Sequence, residues 1–222
     1  MVRGPVLRYL SHPQVIIDPD VPVPDWGLSD EGTARVAALC RAIKGGALAG
    51  TTSVFSSPER KALETARPLA DALGCPCSVV HDSHENDRSA TGYRPGPEFE
   101  GLADAFFARP EISVEGWERA VDAQARITAV VDSIEDAAPQ GDVLIVGHGA
   151  VGTLLFCARA GLPISRTHDQ GAGGGGNIIT YNRETGAPLG GWRPVESLAG
   201  DSGADGNDSV FAQTVKRCFP HW

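Results

Sequence analysis

The sequence predicts an α/β fold, a three-layer sandwich with a mostly parallel central sheet and helices on both faces. Short apolar runs alternate with stretches of helical periodicity along most of the 222 residues, the pattern of strand–helix–strand crossovers. Asp142 to Val146 is apolar after its first residue, as expected of a parallel strand covered on both faces. Glycines close the helical stretches, at Gly45-Gly46 and at Gly74.

Val6 to Leu10 is the first strand and ends at Ser11-His12-Pro13. Residues 13–28 are rich in Pro and Asp, have no period, and are loop. Ser29 caps a helix with Asp30 and Glu31 in its first turn, where the dipole favours acids, and Val36, Leu39, Cys40 and Ile43 on its apolar side. Thr52 to Phe55 is the second strand, and Pro58 opens a helix through Ala62, Ala66, Leu69 and Leu73. Ser78 to Val80 is the third strand. Residues 81–97 form a polar loop long enough to be functional or mobile. Helices are expected over Glu98–Ala108 and Val114–Ala137, the second with Trp117, Val121, Ala125, Ile127, Val130, Val131 and Ile134 on one face. The strand Asp142–Val146 passes through Gly147-His148-Gly149 into a helix over 151–160. Residues 167–176 are irregular and glycine-rich, and Asn177–Tyr181 pairs with Leu189–Trp192 in a hairpin about Thr185-Gly186. After Glu196 the chain turns to Gly, Asp, Ser and Asn. One domain over residues 1–196 is therefore expected, followed by a flexible linker and tail over 197–222.

The composition, 41% hydrophobic and 21% charged, is that of a soluble globular protein. A net charge of -9 and a pI near 5.1 speak against nucleic acid as a partner. They do not exclude a small phosphorylated ligand, since a few cations in a cleft outweigh distant carboxylates. Five cysteines is an odd number. Cys75-Pro-Cys77 is too close for an ordinary disulfide and has no second pair for zinc, so thiols in a reducing cytoplasm are expected. No apolar run approaches ~18 residues and no apolar leader stands at the N-terminus, so neither a membrane partner nor an export signal is expected. The oligomeric state stays open, a homodimer included.

Ligands of parallel α/β sheets gather beyond the carboxyl ends of the strands. His12 and His148 both stand at such ends. Ser56-Ser57-Pro58-Glu59-Arg60-Lys61 lies between a strand and a helix, opens onto the same edge, and offers a helix N-terminus with cations beside it, the makings of an anion site. His84 and His168 fall in polar loops and are expected to be exposed. Gly173–Gly176 lacks the Gly-Lys-Ser/Thr ending and the following helix of a phosphate-binding P-loop.

Leu10-Ser11-His12-Pro13, the stretch Ser57-Pro58…Ala62…Glu64-Thr65-Ala66 and Val146-Gly147-His148-Gly149, in this order and spacing over about residues 5–195, resemble the histidine phosphatase superfamily, also called phosphoglycerate mutase-like. The resemblance implies a covalent mechanism. His12 attacks phosphorus and becomes phosphohistidine. His148 stabilises the transferring phosphoryl oxygens. An acid on the loop after the third strand, best matched by Glu85 ahead of Asp82 and Asp87, protonates the leaving oxygen and then activates water. No metal or organic cofactor is implied. Two positions depart from the family: Ser11 stands where an arginine is usual, and Lys61 takes the place of the second phosphate arginine. A lysine keeps the charge but not the planar fork. Ser11, Lys61 and Gly149 are expected to line the substrate, with Arg88, Arg8 and Arg94 as replacement cations, Arg88 the best placed. A phosphomonoesterase acting on a small metabolite is the leading expectation. A phosphomutase, or a diverged member that binds or transforms another ligand, are the alternatives.

Overall fold

The computed structural model describes residues 4–138 and 140–199. Six strands form one sheet: β1 (Val6–Ser11), β2 (Thr51–Ser56), β3 (Cys77–Val79), β4 (Asp142–Gly147), β5 (Asn177–Asn182) and β6 (Arg193–Pro194), in the order β3-β2-β4-β1-β5-β6. β3, β2, β4 and β1 are parallel neighbours, β5 runs antiparallel to β1, and β6 antiparallel to β5. Five helices among the described residues cover the sheet: α1 (Asp30–Lys44), α2 (Arg60–Leu73), α3 (Gly96–Ala108), α4 (Ala120–Ala137) and α5 (Gly149–Arg159). The mostly parallel α/β sandwich expected from the sequence is the architecture.

Alternation along the strands divides the core in two. Leu7, Tyr9, Val143 and Ile145 pack under α3, α4 and α5 against Phe106, Ile127 and Leu154. Leu10, Leu144, Val146 and Val54 face the other way, against Val36 and Leu39 of α1 and Ala66 and Leu69 of α2. Val143 to Val146 are each 0% exposed, which makes β4 the covered centre of the sheet. Each such side chain contributes roughly 1.5–3 kcal/mol of hydrophobic stabilisation. α1 starts where expected, with the Gly32 amide donating to the Ser29 hydroxyl at 3.1 Å. α2 ends at Gly74 in the left-handed conformation (φ 68°), which a glycine adopts without strain.

Four expectations are corrected. α4 begins at Ala120, not Val114: Glu115 and Gly116 take φ of 47° and 85° and turn the chain first. Trp117 is buried in that turn, its indole donating to Thr91 Oγ1 at 2.9 Å, and Ala125 is exposed. The hairpin after β5 turns at Thr185-Gly186 and returns through a Tyr181–Pro188 bridge and the Leu189 amide on the Thr180 carbonyl (2.7 Å), but its second strand is Arg193–Pro194 rather than Leu189–Trp192. Trp192 leaves the ladder to meet Tyr9 edge-on (6.1 Å between rings) and to donate to Thr153 Oγ1 (3.1 Å). The folded unit also runs past residue 196. Val195–Ala199 is a short 3-10 turn, and Val195 and Leu198 are buried with α1 and α2. The remainder of the proposed linker and tail, 200–222, lies outside the described residues. Cys40, Cys75, Cys77 and Cys157 are free thiols, and no helix among the described residues is long and apolar enough to cross a membrane.

Candidate active site

Parallel pairing sets the two histidines side by side. The His12 amide donates to the Gly147 carbonyl (3.0 Å) and the Ser57 amide to the Val146 carbonyl (3.0 Å), so the ends of β1, β4 and β2 are level. The His12 and His148 rings lie 5.2 Å apart, inclined at 73°. Nδ1 of His12 is 2.8 Å from the Pro13 carbonyl. A carbonyl only accepts, so Nδ1 carries the proton and the lone pair of the neutral ring is on Nε2. Loss of water around the ring pushes its pKa down to about 4, against the Pro13 hydrogen bond and with help from Lys61. His148 is fully buried at the N-cap of α5. Its amide donates to Tyr9 Oη (3.2 Å), Nε2 lies 2.7 Å from Ser57 Oγ, and Nδ1 has no protein partner. Burial lowers this ring well below the ordinary range, so both imidazoles are neutral at neutral pH.

Glu85 joins them from the loop after β3. Its carboxylate accepts from the Val151 amide in the first turn of α5 (3.2 Å) and from the Asn86 amide (3.1 Å). Burial raises its pKa and Glu59 adds to that, against Arg88 and the two amides. Glu59 was not singled out by the sequence. It is the N-cap of α2, buried, and accepts from the Glu85 amide at 2.9 Å. Its carboxylate lies 3.5 Å from His148 Nε2 and pairs closely with the buried ammonium of Lys61, which also donates to the Val23 carbonyl (2.8 Å). Burial works to raise the Glu59 pKa, but the Lys61 ammonium and the Glu85 amide hold it below the ordinary carboxylate range.

The other expected site residues divide. Arg88 is half-buried with its guanidinium 4.9 Å over the Phe99 ring, and its charge reaches both histidines and Glu85. Gly149 opens α5 against the Gln170 side-chain amide, where a Cβ would collide. Ser11 sits at the edge of the site but is turned away. Its hydroxyl donates to Gln170 Oε1 (2.6 Å) and accepts from the Asn177 amide (3.1 Å). Arg8 is a correction. It pairs with Asp142 (2.9 Å) at the start of β4, the opposite end of the sheet from the histidines, and cannot contact a ligand there. Arg94 faces Glu115 and Glu98 at 3.5 and 3.9 Å. Asp87 is exposed and held ionised by the Ser89 amide, which suits it poorly as an acid, and Asp82 is exposed. His84 and His168, expected to be exposed, are half-buried, the first against its neighbour's carbonyl and the second against Phe156 (5.6 Å).

A cavity of about 390 Å³ opens over His12, Glu85 and Arg88, walled on one side by Phe99, Phe106 and Trp117 and on the other by Gln170 and the glycine run. The Gly176 amide donates to the carbonyls of Ser11 (3.2 Å) and His12 (3.0 Å), and a Cβ on Gly175 would run into the His12 carbonyl. The run therefore packs against the His12 backbone in a way that needs residues without side chains. A larger groove of about 990 Å³ between α1 and α2 reaches neither histidine. No group of three or more His, Cys, Asp or Glu side chains among the described residues could hold a metal ion.

Comparison with known proteins agrees with this architecture. Solved structures with the same fold include Bacillus stearothermophilus YhfR (21% identity, TM-score 0.69, covering 83% of this chain and 94% of that one). They include a mycobacterial glucosyl-3-phosphoglycerate phosphatase (20%, 0.62, 86% and 97%) and a phosphoglycerate mutase from Bacillus anthracis (18%, 0.65, 90% and 97%). A search of curated proteins found no match. The model of the histidine phosphatase superfamily (branch 1) matches residues 20–188, a range that starts after His12 and takes in Glu59, Lys61, Glu85 and His148. The chain belongs to the histidine phosphatase superfamily.

Proposed function

We propose that the chain is a metal-independent phosphomonoesterase that acts on a small phosphorylated metabolite through a phosphohistidine on His12. One observation carries this reading: the His12 ring is neutral, with its Nδ1 proton committed to Pro13, so Nε2 holds a free lone pair beside a second neutral imidazole. Nε2 attacks phosphorus and the ester P–O bond breaks. Glu85, kept protonated more readily than an ordinary carboxylic acid, gives its proton to the leaving oxygen. Glu85 then takes a proton from water, whose oxygen attacks the phosphohistidine, releasing phosphate and restoring Nε2. With the Ser57 hydroxyl donating to Nε2 of His148, the unpartnered Nδ1 of that ring bears a hydrogen for a phosphoryl oxygen. Arg88 supplies the cation. The phosphatase among the structural relatives supports the reaction class. A phosphomutase would differ only in shielding the phosphohistidine from water.

A second reading, a diverged member that binds or transforms another ligand, is favoured by one observation: the Lys61 ammonium is already taken by Glu59. Phosphate release from a panel of phosphomonoesters, with EDTA present, separates the two. The wild type is expected to turn over at least one ester, and His12→Ala none. Equal background from both proteins would reject the phosphatase.

A further inference from the structure

We propose that Glu59 is a charge-selecting residue: its carboxylate, fixed between Lys61, His148 and the Glu85 amide, makes the site accept a singly charged phosphoryl group and turn away a doubly charged one. The inference rests on the phosphoryl-transfer reading above and concerns which ionic form of the ligand enters.

The charges around Glu59 come from four elements. Lys61 of α2 is its closest partner, and both are almost completely buried. His148, at the end of β4, stands 3.5 Å away and is neutral. Glu85, on the loop after β3, is bound to Glu59 through its amide, and that loop also carries Arg88. His12 faces the group from β1 as a second neutral ring. The Lys61 charge is thus cancelled where it stands, and Arg166, which also lines the cavity, is paired with Glu100 and Asp104, which leaves Arg88 as the cation for the ligand. A dianion would meet one uncompensated cation and, with Lys61 neutralised by Glu59, no second one. A monoanion meets a matched charge. Burial amplifies the difference, because solvent cannot screen Glu59 from Lys61 and so cannot free the ammonium for the ligand. Glu59 cannot rotate out of the way without leaving the Lys61 ammonium buried and unpaired, which is strongly disfavoured.

A singly charged phosphoryl group is either a monoester or inorganic phosphate with one proton retained, or a diester. Inorganic phosphate, titrated by calorimetry from pH 5 to 8, tests the first. In the wild type the apparent Kd should be flat while the monoanion dominates. Above the second ionisation it should rise about tenfold per pH unit, since only the monoanionic fraction binds. Glu59→Gln should remove that rise and bind phosphate at pH 8 about tenfold or more tightly than the wild type, as expected for removing a nearby charge at partial burial. Glu85→Gln should keep the rise, which separates selection by Glu59 from titration of Glu85. Dimethyl phosphate, singly charged throughout, should bind the wild type with no pH dependence, and a binding diester would extend the ligand class to diesters. A flat phosphate Kd in the wild type, or the same rise in Glu59→Gln, overturns the inference. The wild-type result alone suffices for this if Glu59→Gln does not fold. Turnover of esters by a wild type with a flat Kd would leave the phosphatase standing without charge selection. No phosphate binding by either protein at any pH, together with no turnover, would remove both.

Discussion

Replacing Asp142 by Ala tests whether Arg8 serves the fold or the ligand. Asp142 Oδ2 accepts from Arg8 Nη1 at 2.9 Å and its Oδ1 from the Val6 amide at 3.0 Å, and the two side chains are 8% and 6% exposed. Removing one member of so buried a pair costs about 3–5 kcal/mol, because the guanidinium keeps its desolvation and loses its carboxylate. For a folded unit of this size, each kcal/mol moves Tm by about 2–4 °C, so Asp142→Ala should melt about 6–20 °C lower. Arg8→Met should fall in the same range. The double variant Arg8→Met/Asp142→Leu should regain much of the loss, since an apolar pair needs no counter-charge. Circular dichroism melts and urea titrations give the stabilities, and phosphate titration at 15 °C gives ligand affinity. Affinity should be unchanged in all three variants. An Arg8→Met protein with wild-type Tm and lost phosphate binding would refute the structural assignment and return Arg8 to the site.

The pH profile of phosphate release should have two limbs. kcat/KM falls below about pH 4 as His12 Nε2 takes up a proton and loses its lone pair, and falls on the alkaline side as Glu85 gives up its proton. Glu85→Gln should lose the alkaline limb of kcat, measured at saturating ester, together with about 10²–10⁴-fold of the rate, while the fall in kcat/KM that follows the second ionisation of the ester stays. Stability should decline with acid. The unfolded chain protonates its histidines near pH 6.5, whereas folded His12 resists until about 4 and His148 also stays neutral well below 6.5, so stability is full above 6.5 and lost as pH falls through that window. Urea midpoints at pH 7 and 5 measure this, and His12→Gln should narrow the difference. Gly175→Ala should reduce turnover more than Tm. It forces a side chain onto φ +88° and against the His12 carbonyl, while leaving the two hydrophobic clusters intact.

The histidine pair was legible because strand ends are visible in sequence: each follows an apolar run and precedes a residue that cannot continue it. Glu85 was legible through the family pattern. Glu59 was not. Residues two apart on a helix point in different directions, so Glu59 and Lys61 suggest no pair. They meet because Glu59 is the N-cap, with extended backbone (φ -69°, ψ 142°), and only Lys61 is helical. A hint was available in an acidic residue directly before a basic pair in an anion-binding motif. Arg8 misled for the opposite reason: its sequence distance to His12 is short, but four residues along a strand are over ~13 Å. The start of α4 was missed because Trp117 fits the helical period while Glu115 and Gly116, with positive φ, do not show that in one sequence.

Arg35 of α1 holds three parts of the chain at once. It donates to the Gly175 (2.8 Å) and Gly176 (3.0 Å) carbonyls, to Gln14 Oε1 (3.1 Å), and in a fork to Glu196 (2.7 and 3.1 Å). The Val195 amide adds a bond to the Gly176 carbonyl (3.0 Å). The glycine run braces the His12 backbone, so the seat of this histidine is tied to Val195 and Glu196. Ending the protein at residue 194 would remove the Val195 amide and the Glu196 carboxylate, and so unfasten the rim of the cavity while leaving the sheet whole. A turn nearly two hundred residues after His12 thus helps to set the shape of the cavity over it.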